Sequence, residues 1–258
     1  MPSKAKFYQW PNIVSVDAAM IAVAWQYALA EKLWVILEWP AYAVLGISVW
    51  LTYMADRLYD VASRPMKQLQ SLRHQFAKKH RSRLWQIWWG ALMLNLAIAT
   101  QLSSQQLQRG AILLGICLLY TYFNQKLSRR FFPKEICVAL IYAGGIIVFI
   151  PTTPIIPMLS LAWLCLINCL IIGAREKEID AEMQVHSVAS LATERYLAPL
   201  TFLSALVIPI AAQQLGITIT LCLIFLGALH LFRNKIQVED FRVLADATLL
   251  AGATLALV

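Results

Sequence analysis

The chain has 258 residues, of which 60% are hydrophobic and 14% are charged, and its formal net charge is +8. A typical soluble domain carries about 25% charged residues, so this composition excludes an ordinary soluble globular protein. The five cysteines all fall within apolar stretches, where a free thiol behaves as a small apolar side chain, so they give no indication of disulfides.

Apolar stretches long enough to cross a bilayer recur along the whole chain. A spanning helix needs about 20 mainly apolar residues with few charges. This criterion predicts nine helices, at residues 12–30, 39–56, 84–102, 107–125, 135–150, 156–174, 197–213, 216–232 and 243–258. The predicted fold class is therefore an all-α, polytopic membrane bundle of nine transmembrane helices, with residues 1–258 forming a single integral membrane domain.

The basic residues lie in alternate connections of this nine-helix pattern. All 22 Lys and Arg residues except Lys32 and Arg109 fall on one side of it. Because Lys and Arg are enriched in cytoplasmic loops, the asymmetry predicts a cytoplasmic N-terminus and an external C-terminus in the plasma (inner) membrane. It also explains the net charge without nucleic acid as a partner, and the lipid bilayer becomes the expected surroundings.

The second predicted helix ends in two aspartates, Asp56 and Asp60, with Arg57 and Arg64 beside them. A spacing of four residues places both carboxylates on one helical face, one turn apart. Two such acids repel each other unless a cation lies between them. The same pattern is also typical of a solvated helix end with arginine counter-ions.

The sixth predicted helix ends in the same way, with Glu176 and Asp180 at a spacing of four. Mg²⁺ prefers hard oxygen ligands and is typically held by one or two carboxylates together with substrate phosphates. Two facing acidic pairs, Asp56 with Asp60 and Glu176 with Asp180, therefore predict a cytoplasm-facing Mg²⁺ site for a diphosphate. Taken alone, the second pair is also typical of an exposed helical face.

Three further side chains are candidates for chemistry. Tyr122 and Lys126 offer a phenol and an ammonium donor on one face of the fourth predicted helix, which would suit a departing diphosphate. Interfacial anchoring explains them equally well. Asp17 lies inside the first predicted helix, where a carboxylate is costly enough to indicate a function. It is predicted either to act as a general base or to form a structural hydrogen bond.

In combination these motifs resemble those of the UbiA superfamily of intramembrane prenyltransferases, over nearly the whole chain. The family's first motif, Asn-x-x-x-Asp-x-x-x-Asp followed by Arg-Pro, corresponds to Thr52, Asp56, Asp60 and Arg64-Pro65. Its second motif, Asp-x-x-Asp-x-x-x-Asp, corresponds to Gly173, Glu176 and Asp180. Its Tyr-x-x-x-Lys pattern corresponds to Tyr122 and Lys126, and Asn168 matches an Asn that the family often has within this helix.

The resemblance implies that Mg²⁺, held by the two acidic pairs, neutralises the diphosphate of a prenyl substrate as the C–O bond ionises. It implies catalytic roles for Lys126 and Tyr122, and Asp17 is the third predicted catalytic residue, because of its position inside a helix. It also implies that the substrate is bound by polar and basic residues at the ends of the second, fourth and sixth helices, namely Thr52, Arg57, Arg64, Tyr122, Lys126 and Asn168. Below these residues we expect an apolar, aromatic cavity with very few polar groups.

Two reactions follow from the resemblance, and a third class remains open. The first is transfer of the prenyl group to a lipophilic or aromatic acceptor, and the second is cyclisation by a UbiA-type terpene cyclase. Thr52 and Gly173 depart from the family pattern, and Trp10-Pro11-Asn12 lacks the Arg found in many aromatic-acid prenyltransferases. Without that Arg a hydroxybenzoate-type acceptor is not favoured. A non-catalytic lipid-binding or transport protein would require that the acids bind no metal.

Overall fold

The computed structural model describes residues 5–62, 64–127, 133–152, 154–182, 194–211 and 215–257. These residues form α-helices and three short 3-10 turns, and contain no strand. The α-helices, in chain order from α1 to α11, are Trp10–Ile13, Val16–Lys32, Trp39–Asp60, Leu72–Lys79, Arg81–Ala99, Ser104–Leu127, Lys134–Ile147, Ile155–Glu182, Glu194–Ala211, Gly216–Leu231 and Val238–Leu255. The all-α prediction is confirmed.

Nine of these helices, α2, α3 and α5 to α11, have 14 residues or more. Helix α2 packs against α3, α7 and α11, and α8 packs against α7, α9, α10 and α11. Large apolar side chains fill the space between these helices, including Trp25 of α2, Leu164 of α8, Leu223 of α10 and Phe241 of α11. Helices α5 and α6 pack at the periphery, on α3 and α7 respectively.

The first predicted helix is broken near its beginning. Helix α1 ends at Ile13, and α2 begins at Val16 after a bend of 81°. Ser15, between them, has a φ of 59°, the left-handed conformation that prevents a helix from continuing. The break removes the regular i→i+4 partners of the carbonyl groups at the end of α1. The Asn12 carbonyl accepts from the backbone nitrogen of Ser15 at 3.2 Å, and Nη1 of Arg57 in α3 donates to the carbonyl oxygens of Asn12, at 3.1 Å, and Ile13.

Membrane crossing is supported more weakly than helix formation. Among the described helices, only Ile155–Lys177 of α8 is by itself long and apolar enough to span a bilayer, with a mean hydropathy of 2.4. The bent α1–α2 pair meets the same criterion if it is counted as one span, and Gly216–Leu231 is apolar but shorter. That nine helices cross a membrane therefore stays a prediction.

Helices α2, α10 and α11 approach closely at Gly252 of α11. A Cβ atom at this position would overlap Sγ of Cys222 and would lie 3.2 Å from Cζ2 of Trp25. The contact between these three helices therefore depends on the absence of a side chain at Gly252. Gly90 of α5 is different, because a Cβ atom there would meet nothing within 4 Å.

We expect Gly252→Val to destabilise the fold, because overpacking a filled core typically costs about 1–3 kcal/mol. Gly90→Val introduces the same side chain into another helix without a clash, and serves as the matched control. The thermal unfolding midpoint of each purified variant in one detergent checks this. Equal midpoints for the two variants would show that the three helices do not pack as described.

Candidate active site

One end of the bundle encloses a cavity of about 650 Å³. Its walls come from the beginnings of α2, α7 and α11 and from the C-terminal parts of α3, α6 and α8, with α4 alongside. These ends meet because successive long helices alternate in direction. The volume is within the range of about 300–1,000 Å³ that is usual for small-molecule sites.

The first predicted acidic pair lies in this cavity. Asp56 and Asp60, in the last two turns of α3, both line the wall. Arg64 lines it as well, with its Nη1 4.0 Å from Oδ1 of Asp60. Lys134, at the first position of α7, also lines the cavity, so two acids and two basic groups meet at the end of the bundle.

The second predicted acidic pair is only partly described. Glu176 lines the cavity and is 6% exposed, whereas the side chain of Asp180 lies outside the described part of the structure. The Glu176 carboxylate forms ion pairs with Arg73 of α4, at 3.2 Å, and with Arg242 of α11. Its charge is therefore already compensated by two guanidinium groups.

The residues that fit a divalent cation are consequently those of the first pair. Within the part of the chain that the structure describes, no group of three or more His, Cys, Asp or Glu side chains is arranged to hold a metal. Mg²⁺ requires only one or two protein carboxylates when phosphate oxygens and water complete its shell. Asp56 and Asp60 meet that requirement, whereas Glu176 is held by arginines.

A further pair of carboxylates, Asp17 and Asp246, lies in the same cavity. Nδ2 of Asn12 donates to Oδ2 of Asp17 at 2.6 Å and to Oδ2 of Asp246 at 3.1 Å. Nδ2 of Asn168 donates to Oδ1 of Asp246 at 3.2 Å. We call Asp17 and Asp246 the inner acids, and Asp56, Asp60 and Glu176 the outer acids.

Positions along α8 and α11 show that the inner acids lie deeper in the bundle than Glu176. Asn168 precedes Glu176 by two turns of α8, which is about 12 Å along the helix axis. Asp246 lies one turn of α11 beyond Arg242, which pairs with Glu176. The expectation of a cavity with very few polar groups is therefore wrong. Sequence reasoning also missed Asp246, although it lies in the ninth predicted helix and the argument made for Asp17 applies to it.

Aromatic side chains form part of the cavity wall. Tyr53 of α3 and Tyr142 of α7 meet edge to face, with ring centroids 6.4 Å apart. The Tyr142 hydroxyl donates to the carbonyl oxygen of Ala18 at 2.6 Å, which fixes its ring against the start of α2. The expected aromatic lining is therefore present, together with polar groups.

The structure places Tyr122 and Lys126 outside the cavity. Tyr122 is 52% exposed, Lys126 is exposed, and the Lys126 ammonium donates to the Tyr122 hydroxyl. Tyr120 and Asn124, on the other face of α6, line the cavity instead. A rotation of 100° per residue separates the two faces, and spacing alone does not tell which one points inward. The catalytic and substrate-binding roles predicted for Tyr122 and Lys126 therefore lack geometric support.

Of the remaining predicted substrate-binding residues, some line the cavity and one does not. Thr52 is exposed and its hydroxyl donates to the carbonyl oxygen of Ser48 at 2.9 Å, so it does not line the cavity. Asn168 and Arg57 both line it. Nη1 of Arg57, however, is engaged by the carbonyl groups of α1, so part of this guanidinium is structural.

Comparison with solved structures identifies the fold. The chain matches a structure described as the apo structure of a UbiA homolog from Aeropyrum pernix K1, with a TM-score of 0.59. The match covers 94% of this chain and 99% of that chain at 12% sequence identity, so it establishes the fold alone. No family model matches the sequence, and no curated protein matches it. The UbiA-like fold expected from the motifs is confirmed.

His74 of α4 lines the cavity next to Arg73. Its side chain is buried, and Nδ1 lies 2.6 Å from the Ser71 hydroxyl. Burial, and to a lesser degree the positive charges of Arg73 and Arg57, lower the pKa of His74 to about 2. The imidazole is therefore neutral at physiological pH.

Mild acid is expected to destabilise the folded protein through His74. An unfolded histidine has a pKa of about 6.5, so below this pH the unfolded chain binds a proton that the folded chain does not. The free energy of unfolding then falls, by at most about 1.4 kcal/mol per pH unit for this one group. Unfolding midpoints at about pH 7.5 and about pH 5.5 should differ less in His74→Gln than in wild type.

His80→Gln is the control for this experiment, because His80 ends the same helix and is less buried. It should keep the wild-type dependence on pH. If His74→Gln keeps it too, another group is responsible for the acid sensitivity.

Proposed function

We propose that this protein is a UbiA-type membrane enzyme that ionises a prenyl diphosphate and transfers the prenyl group to an acceptor. The observation that carries the proposal is the cavity at one end of a UbiA-like fold, where carboxylates and basic groups meet. Asp56 and Asp60 stand there with Arg64, Arg73 and Lys134. Such a combination suits a diphosphate and its counter-ion, because each phosphate oxygen needs either a cation or a hydrogen-bond donor.

Nine bilayer crossings are part of the proposal, and the surface of the bundle supports them. The outward faces of the helices carry exposed large apolar side chains, such as Leu118 of α6, Leu206 of α9 and Phe225 of α10. Exposed apolar surface on this scale is unfavourable in water and favourable in lipid. The basic residues at the cavity end support a cytoplasmic active site.

Asp56 and Asp60 are the residues that would hold Mg²⁺. When bound, the cation would neutralise charge on the diphosphate as it leaves. Arg64, Arg73 and Lys134 line the same cavity and would donate to the remaining phosphate oxygens. This assigns to Lys134 the role that the sequence pattern gave to Lys126.

Glu176 is assigned a positioning role. Its ion pairs hold Arg73 and Arg242 at the cavity wall, and Arg242 is held in addition by Glu239 at 2.8 Å. Fixed guanidinium groups stabilise a departing anion without having to reorganise during the reaction. The prenyl cation would lie beside Tyr53 and Tyr142, whose ring faces stabilise positive charge by about 0.5–2 kcal/mol each.

Terpene cyclisation is the second candidate function, and the contact between Tyr53 and Tyr142 favours it. A cyclase must guide a cation along its own chain, and aromatic walls serve that purpose. The inner acids favour transfer instead, because a purely hydrocarbon reaction does not require a second pair of carboxylates in addition to Asp56 and Asp60.

We expect Asp56→Asn and Asp60→Asn each to lower kcat/KM for a prenyl diphosphate by about 100-fold or more, because a charged ligand of the leaving-group site is lost. Excess chelator should abolish turnover of the wild type. Diphosphate release from geranyl, farnesyl and geranylgeranyl diphosphate, with a hydroxylated aromatic acceptor, measures the effect. Glu38→Gln, at the opposite end of α3, is the matched control and should behave as wild type.

Incubation with Mg²⁺ and the same diphosphates, without an acceptor, distinguishes the two reactions. A transferase should leave most of the substrate intact, because no nucleophile is present to capture the cation. Analysis of the extracted products by gas chromatography and mass spectrometry checks this. Cyclic hydrocarbons or terpene alcohols as main products would replace transfer with cyclisation as the function.

A further inference from the structure

The inner acids form a site that the mechanism above leaves unused. Asp17 is in the first turn of α2 and Asp246 is in α11, and Asn12 donates from a single nitrogen to both carboxylates. The distance between the two Oδ2 atoms is therefore no greater than the sum of these two hydrogen-bond lengths. The bend between α1 and α2 creates this arrangement, because it places Asn12 next to the start of α2.

Positive charge does not compensate the inner acids directly. Among the described residues, no ion pair joins Asp17 or Asp246 to a lysine or an arginine. Arg242, the nearby guanidinium on α11, is paired with Glu176 and Glu239 instead. Two carboxylates this close repel each other when both are ionised, and a hydrogen-bond donor placed between them reduces that repulsion.

Asn168 provides an independent indication of a ligand. Its side chain is 7% exposed and lines the cavity, and its Nδ2 donates to Asp246. Its Oδ1 is buried and accepts no hydrogen bond from the described residues. A buried acceptor without a partner costs about 1–3 kcal/mol. A ligand that donates a hydrogen bond at this point would remove that cost.

We propose that Asp17, Asp246 and Asn168 bind the hydroxyl group of the prenyl acceptor. This inference rests on the proposed function and specifies its substrate class, an uncharged molecule with a phenolic or alcoholic hydroxyl. The hydroxyl donates to a carboxylate oxygen of the pair or to Oδ1 of Asn168. An acceptor with its own carboxylate is disfavoured, because its charge would be repelled by the inner acids, which form no ion pair with an arginine among the described residues.

The same arrangement gives the pair a chemical role. The C–O bond of the prenyl diphosphate breaks, and its electron pair leaves with the diphosphate. An electron pair of the acceptor, from the hydroxyl oxygen or from the ring that it activates, forms the new bond to the prenyl carbon. The proton that the acceptor then loses passes to the ionised carboxylate of the inner acids, so no other reactant is needed.

Binding of matched probes tests the proposal in the full-length protein. Wild type in detergent, with Mg²⁺ and the non-ionising analogue farnesyl thiolodiphosphate, is titrated calorimetrically with 1-naphthol and with 1,2-decanediol. The methyl ethers of both probes and 1-naphthoate are titrated in parallel. We expect at least one hydroxyl probe to bind about tenfold or more tightly than its ether, which lacks the donor, and than the carboxylate. Preference for naphthol indicates a phenolic acceptor, and preference for the diol indicates an aliphatic one.

Variants of the inner acids complete the test. Asp17→Asn and Asp246→Asn should bind the thiolodiphosphate within about twofold of wild type but lose the preference for hydroxyl over ether. Turnover with the preferred probe should fall, and Asp246→Glu should restore part of it. Asp240→Asn is the control on α11, because Asp240 lies outside the cavity and contacts Lys6, Tyr8 and Gln9.

The outcomes separate this inference from the proposed function. If the wild type binds the thiolodiphosphate but prefers neither hydroxyl probe to its ether, the inference is overturned. An unchanged preference in both Asn variants overturns it as well. If the wild type does not bind the thiolodiphosphate, the proposed function fails, and the probe titrations without diphosphate still test the inner acids. If the Asn variants do not fold, the comparison of hydroxyl with ether in the wild type decides.

Discussion

The buried carboxylate of Glu176 needs positive charge beside it, and the way in which the chain supplies that charge organises the cavity end of the bundle. Arg73 comes from α4 and Arg242 from α11, so one side chain of α8 joins three helices. Glu239 extends the network, since it pairs with Arg242 and accepts from the backbone nitrogen of Leu72 at the start of α4. Removing one member would leave an uncompensated buried charge, which is far costlier than losing a surface pair. The network therefore fixes α4, which is too short to cross a membrane, against the ends of the long helices. Without α4 the cavity would lose Arg73 and His74 from its wall.

The length of the apolar stretches predicted the long helices well, because it reflects what each stretch of chain can bury. The third predicted helix, at 84–102, is α5, Arg81–Ala99, and the sixth, at 156–174, is the first part of α8, Ile155–Glu182. Helix α8 continues beyond the predicted span because its last turns find polar partners within the protein, such as those of Glu176, and so need not be apolar. The break at Ser15 could not be predicted. It depends on one residue in a left-handed conformation and on a side chain 42 positions later, Arg57, that satisfies the carbonyl groups it frees.

Cavity residues could be predicted from the sequence where placing the side chain near a bilayer is costly. They could not be predicted where only the direction of the side chain decides whether it lines the cavity. Asp17, Asp56 and Glu176 lie in the cavity because a carboxylate near the bilayer needs a specific environment wherever it occurs. Tyr122 and Lys126 tolerate lipid headgroups and water. Their spacing therefore indicated that they share one face of α6, but not whether that face points into the cavity. Arg73 and Arg242 were not predicted as cavity residues for a different reason. Both fit the asymmetric distribution of Lys and Arg between the loops, so the predicted topology already accounted for them and no further role was sought.

Two kinds of acid thus occupy one cavity with different neighbours, and this difference matters for any reaction there. The outer acids stand among guanidinium and ammonium groups, so groups that could hold a cation and groups that could donate to phosphate oxygens meet at the mouth, as the proposed function requires. The inner acids are held by amide groups, which orient a carboxylate without cancelling its charge. In the proposed reaction, this separation along the bundle axis places the inner acids, which form no ion pair among the described residues, away from the departing diphosphate. A reaction that sends an anion outward and leaves a proton inside is the one that this distribution of charge favours.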